Sequence, residues 1–314
     1  MLVSSSFCAS SGVVNGPAEF PSLLSSLPLA LSHRQGATAT NELVNVGDFF
    51  ASQVLPELQA TDVNALPVLK ADALKFLTTF RGIIAKPACI AALPALVELL
   101  RAVPNVVHSY AAVCLERLLT VREPDRSLRF LPEDLAPRLQ QVLGNLFGSL
   151  EQPDSAENEY VMKCIVRVVT FMGPGMKPYA PTALAKLTAT LGEVCKNPRS
   201  PGFNHYLFEA IAGLVCCSCR GDAAGCAAAE ALLFGPFQAV LAADVQEFAP
   251  YVFQVLSLLV ELRPIPLPGA YLAIFPALLA PMLWERPANV PALVRLLQAY
   301  LLKVSGGLGG WPCF

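Results

Sequence analysis

Charge is the scarcest resource in this sequence: 15% of its 314 residues are Asp, Glu, Lys or Arg, against 54% hydrophobic residues. The formal net charge of −2 leaves no basic face for nucleic acid and no polybasic tract for an anionic membrane surface. Histidine is rarer still, with His33, His108 and His205 its whole complement. No G-x-x-x-x-G-K-[ST] or G-x-G-x-x-G loop occurs, and no serine sits in a G-x-S-x-G elbow. The Gly-rich GGLGG at Gly306 has no strand before it. These absences argue against an enzyme, and no cofactor is expected. No segment alternates with period two between Asn-Gly or Asp-Gly turns, so β structure is not expected either. No Gly/Ser/Pro-rich linker interrupts the chain between Asn41 and Lys303, which favours one continuous, elongated domain.

With so little polar surface, neighbouring protein is expected to cover part of the fold. The ten cysteines could frame a secreted, disulfide-bonded domain. Yet Cys89, Cys114, Cys164 and Cys195 each lie within an apolar helical pattern, as small buried hydrophobes do, and a reducing cytosol or nucleus is the natural setting. The opening stretch, with its apolar run from Leu23 to Leu31, has no Lys or Arg before Arg34 and carries Glu19 ahead of the run, unlike a secretory signal. Residues 1–39 are therefore expected to be a poorly ordered segment. Two stretches match a bilayer in length, Ala223–Ala243 and Pro264–Trp284. The first is mostly alanine with Glu230 and Gln238 inside it, and the second carries five prolines, so no membrane insertion is expected.

What is present is a repeat. Helical segments of alternating character return at roughly 45 residues, inside the range of HEAT and armadillo units. First members of the pairs begin near Asn41, Pro87, Pro132, Lys177, Asp222 and Pro266. The expected fold is all-α, a HEAT-repeat solenoid of about six helix pairs over residues 40–303, followed by a Gly-rich tail at 304–314. Each first helix carries a proline, at Pro56, Pro94, Pro137, Pro181, Pro236 and Pro281. Proline removes a donor and crowds the preceding turn, so a kink is expected at each.

The second helices carry their polar residues on one narrow stripe. In ENEYVMKCIVRVVTF, Glu159, Lys163, Arg167 and Thr170 recur at i, i+4, i+8 and i+11. DVQEFAPYVFQVLSLLVE shows the same with Glu247, Gln254, Ser257 and Glu261. A helix apolar over most of its girth must be enclosed on several sides, as a middle-layer helix is by its partner and both neighbours. Ser200 and Pro201 suit the N-cap and first turn of the helix that follows, and Glu133 and Asp134 suit a helix N-terminus.

Three local features invite chemistry. Cys216, Cys217, Cys219 and Cys226 could supply four thiolates, but C-C-x-C-x6-C is not the paired C-x2-C of zinc sites, and buried structural thiols are expected. His205 and Glu209, one turn apart, read as an exposed i, i+4 contact rather than a proton-transfer pair. His108 opens a helix and reads as structural or partner-facing.

Seven collinear strings carry a resemblance: NELVNVGDFF, LPVLKADALKF, VVHSYAAVCLERLL, ENEYVMKCIVRVV, NPRSPGFNHYLFEAI, DVQEFAPYVFQVLSLL and LWERPANVPALVRLLQAYL. Together they resemble the CAS family of importin-α re-exporters, within the importin-β or karyopherin superfamily, over about Asn41 to Leu302. The resemblance implies binding of importin-α together with the GTP form of the small GTPase Ran, and shuttling between nucleus and cytoplasm through the nuclear pore. Family members are several times longer, so the chain is expected to be the middle portion of such a carrier, without the amino-terminal repeats that make the first Ran contact. The alternative is an inert or regulatory HEAT scaffold without transport activity. If second helices form the concave face, as the resemblance implies, Lys75, Glu116, Glu159, Lys163, Arg167, His205, Glu209, Glu247, Gln254 and Arg295 line one groove. Their mixed signs suit a protein partner better than a polyanion.

Overall fold

The computed structural model describes residues 45–307. All of 1–44 and residues 308–314 of the tail therefore lie outside the described residues, including the order expected of 1–39. Among the described residues twelve helices form six successive pairs. They are α1 (46–58) with α2 (Pro67–Phe80), α3 (Lys86–Leu99) with α4 (Asn105–Leu118), and α5 (132–150) with α6 (Glu159–Met172). Then follow α7 (173–194) with α8 (Pro201–Cys219), α9 (Ala223–Ala242) with α10 (Ala249–Leu262), and α11 (269–284) with α12 (Val290–Gly307). Among the described residues no strand forms, and one isolated bridge joins Arg122 to Leu128.

The even-numbered helices pack in unbroken succession, α2 on α4, α4 on α6, α6 on α8, α8 on α10 and α10 on α12. That is the middle layer the stripes require. Val161, Ile165 and Val168 of α6 are fully enclosed. The odd helices pack on their own partners and form the second layer. Stacking neighbours in this way lets each pair bury a face that it could not bury alone.

Proline breaks the odd helices at four of the six expected places. In α1 a π-helical turn, Phe50–Val54, precedes Pro56, and in α5 the 3-10 turn Ala136–Arg138 contains Pro137. Pro181 follows the 3-10 segment Gly173–Tyr179, and Pro281 restarts α11 after a break at Leu279 and Ala280. By contrast, Pro94 and Pro236 sit inside α3 and α9 without interrupting them. Gly173 ends α6 at φ +50 and passes straight into α7, a backbone state that a β-carbon strains.

N-terminal signals hold in part. Asp134 accepts the Leu131 N–H at 2.8 Å, as an acidic first turn should, and Pro201 opens α8. Ser200, however, makes no side-chain capping bond; its carbonyl instead accepts the Asn204 N–H.

Side-chain bonds between units span about one repeat. On the edge where pairs connect, the Arg129 guanidinium reaches the carbonyls of Arg81, Gly82 and Ile84, Lys86 meets Asp134, and Lys177 meets Asp222. On the opposite edge Asn64 accepts the Val103 N–H, Arg199 meets Glu157, and Arg286 grips Asp244 with two bonds. Beneath that last pair an apolar pocket of about 330 Å³ opens between α9, α10 and α11, lined by Val240, Phe253, Ile274 and Leu278.

One described helix, α9, is long and apolar enough to cross a membrane by length and composition. Within the stack its buried Glu230 accepts a 2.8 Å bond from Tyr271 and meets Arg263 at 3.3 Å.

Candidate functional site

The open strip of the even layer is built by the period-3.6 stripe: where apolar side chains enclose a helix on three sides, its polar positions are left on the fourth. The structure joins these positions from one helix to the next. Arg167 of α6 reaches Glu116 of α4 at 3.1 Å, and the Lys163 ammonium lies 5.6 Å from the Tyr206 ring centroid on α8. His205 of α8 sits 3.3 Å from the Tyr251 hydroxyl on α10, and Arg295 of α12 forks onto Glu261 of α10 at 2.9 Å through two nitrogens. Glu159, exposed at the first turn of α6, places its carboxylate over Gly202, where any β-carbon would collide with it.

Not every expected residue lies on the strip. Glu116 is buried, 5% exposed, because Arg167 and Arg117 close over it from two helices. Glu247 is exposed but belongs to the turn before α10 rather than to its stripe. Ser257 points inward, fully buried, and satisfies its hydroxyl on the Phe253 carbonyl at 2.7 Å. Lys75 and Glu209 are exposed and Gln254 is half-buried, as a solvated strip requires. Glu209 also stands 3.7 Å from His205, the expected i, i+4 contact.

Aromatic side chains stand beside these charges, outside the pattern that polar spacing alone picks out. Tyr206 and Tyr251 flank His205, and Tyr251 stacks on Phe208 with ring centroids 4.9 Å apart. Tyr160 stands 47% exposed one turn before Lys163. The signal was present in the sequence, since each tyrosine adjoins the stripe, but a count of polar residues passes over it. Tyrosine is enriched where protein interfaces concentrate their energy.

His108 and the cysteines singled out in the sequence are buried or half-buried. His108 is buried between the Ala102 carbonyl and the Ser155 hydroxyl, at 2.8 and 2.6 Å. Burial pulls its pKa below the usual imidazole value, so it stays neutral and structural. Burial pushes the Cys89 thiol up to about 11 and Cys114 up to about 12. Cys219 and Cys226 are fully buried, with Cys216 and Cys217 half-buried beside them. Among the described residues, no three His, Cys, Asp or Glu side chains are placed to hold a metal.

Six stacked pairs with an unbroken middle layer and an open polar strip define an α-solenoid of the HEAT type, a class that works by presenting an extended surface. The family follows from comparison. The profile described as Cse1 matches residues 22–115, and the one described as CAS/CSE protein, C-terminus, matches residues 116–308. The chain belongs to the CAS/CSE family. The match starts at residue 22, so it takes in part of the 1–39 segment that the seven strings leave out. Exportin-2 of Pagrus major is 47% identical over 274 residues, 87% of this chain and 28% of that protein. Exportin-2 of Homo sapiens is 46% identical over 276 residues, again 28% of its length. A solved structure described as the exportin Cse1 in its cargo-free, cytoplasmic state matches with a TM-score of 0.70 at 30% identity, over 86% of this chain and 28% of that one. The chain thus spans 28% of the length of these relatives.

Proposed function

We propose that this chain is a portion of a CAS-type nuclear export receptor, and that its even-helix strip contributes to binding importin-α together with Ran in its GTP form. In this reading the protein shuttles between nucleus and cytoplasm and performs no chemistry of its own. The observation that carries it is the continuous even layer, whose strip mixes cations, carboxylates and tyrosines over α6, α8, α10 and α12 within a chain of this family. A folded protein partner needs such complementary, mixed-sign contacts, and each unit can shift slightly against the next to follow the partner's contour.

The test is a binding assay of the purified chain with importin-α, with and without GTP-loaded Ran, at physiological salt. Binding that requires both partners, and that weakens on Lys163→Glu, supports the reading. No binding by a well-folded chain favours the second reading, a HEAT scaffold without transport activity. That reading has one observation in its favour: Arg167, Glu116, Arg295 and Glu261 are already committed to contacts between units.

A further inference from the structure

Ser200 has the place of an N-cap without its bond: the hydroxyl makes no hydrogen bond to the described residues. It closes the irregular segment 195–200 between α7 and α8, half-buried between an exposed Arg199 and an exposed Pro201. Among the described residues the Arg199 and Ser200 N–H groups donate to no backbone carbonyl. What ties this stretch down is the Arg199 side chain, whose Nε donates to Glu157 Oε1 at 3.0 Å, from the α7–α8 pair across to the start of α6. Pro201 and Gly202 then open α8, the first without an N–H and the second a weak helix former. A segment held by so few bonds can lift off as an extended strand while the helix pairs stay folded.

Of the 27 prolines in the chain, Pro201 alone follows a serine, and none follows a threonine. That dipeptide suits one class of enzyme. A kinase pocket that offers no acceptor to the residue after the target serine takes proline without loss, and disfavours every residue whose N–H it would bury unpaired. The site also lies within the stack, on the edge where the third pair meets the fourth, so further units stacked on either end would not cover it.

From these features we infer that Ser200 is a phosphorylation site for a proline-directed Ser/Thr kinase, and that its phosphate draws Arg199 away from Glu157. The serine Oγ attacks the γ-phosphorus of ATP. The Oγ–P bond forms as the bond to the β-phosphate oxygen breaks, ADP leaves, and the hydroxyl proton passes to a base of the kinase. The product adds a charge of about −1.5 to −2 at a position that had none. Arg199, 71% exposed and one residue away, can turn to it, and a phosphate offers a guanidinium two oxygens where Glu157 now offers one. The same charge faces two carboxylates: Glu157, whose Oε2 is buried without a partner, and Glu159, whose Oε2 lies against Gly202. Both are repelled from the start of α8, so phosphorylation loosens the α6–α8 joint at this edge.

The test is to incubate the folded 314-residue chain with ATP and a proline-directed kinase and to map the product by peptide mass. Phosphorylation is expected at Ser200, with none there in Ser200→Ala and at least about ten-fold less in Pro201→Ala, where the N–H is restored. Circular dichroism checks that both variants fold as the parent does. No incorporation into the folded chain would overturn the inference; a synthetic peptide of residues 194–206 then shows whether the motif or the fold is at fault. Total incorporation undiminished by Ser200→Ala would overturn it too. Hydrogen exchange reads the second half. Amides over 157–163 should exchange at least about two-fold faster once Ser200 is phosphorylated, and Arg199→Gln should give the same rise without the kinase, since it breaks the same bond. Equal rates in the modified and unmodified chains would remove the transfer of Arg199.

Discussion

Removing the Arg167 guanidinium tests whether the even-helix strip is surface or structure. Arg167 approaches Glu116 from the next helix at 3.1 Å through one nitrogen and 3.3 Å through another. Glu116 has a side-chain exposure of 6%, so its charge depends on these contacts. Stripping one partner from a fully buried pair costs about 3 to 5 kcal/mol. Two features reduce that figure here. Arg167 is itself 37% exposed, so water screens the interaction, and Arg117 still reaches Glu116 at 3.3 Å. The expected loss for Arg167→Gln is therefore about 1 to 3 kcal/mol, with Arg167→Glu worse because it sets like charges together. A double-mutant cycle with Glu116→Gln, read by urea unfolding, isolates the pair, since Glu116→Gln removes the charge that Arg167 serves. A coupling energy below about 0.3 kcal/mol, the scatter expected of independent sites, would refute the argument and return Arg167 to the list of solvated surface residues.

Other outcomes follow from the same contacts. Ile165→Ala, at a fully enclosed site of α6, should lose about 2 to 5 kcal/mol in urea unfolding, the range for a large core truncation. His108 is held neutral by burial, its folded pKa below an unfolded value of about 6.5. The unfolded chain then binds the extra proton first, so the stability His108 supplies is present above about pH 6.5 and is lost as pH falls toward its folded pKa. Thermal melts from pH 7.5 to 5.5 should decline in the parent and decline less steeply in His108→Gln. Glu57→Ala leaves the Lys70 ammonium, 1% exposed, without its carboxylate 3.3 Å away, and should destabilise the first pair by several kcal/mol; Lys70→Met in the same background should recover much of that loss.

Much of this fold is legible in the sequence because repetition amplifies a weak signal. Stripes such as Glu159, Lys163 and Arg167 fix which face of a helix stays wet, and a roughly 45-residue return fixes how many helices share that layer. Proline kinks are not legible from the prolines alone: Pro94 and Pro236 lie inside α3 and α9 without interrupting them, while the other four coincide with breaks. The candidate surface is read less well. Periodicity along one helix cannot tell Glu116, which a neighbouring arginine draws inward, from Lys75, which stays in water. Ser257 misleads for a related reason, because a hydroxyl can satisfy itself on the preceding turn and enter the core. Tyr206 and Tyr251 count as apolar in any pattern, yet they supply the polar contacts that bridge three helices.

The stitching of one repeat to the next has a mechanical consequence. Units joined only to their neighbours behave as springs in series, and in such a chain the softest joint takes up most of any imposed bend. The joint between α9 and α11 is a candidate for that role: the buried Tyr271–Glu230 bond and the Phe234–Tyr271 ring contact join the two helices at one end, an apolar pocket lies between them at the other, and α10 and α12 remain closely packed opposite it. Bending there would turn about the even layer as a fulcrum, and the Asp244–Arg286 pair that lines the pocket is a contact such a motion has to strain.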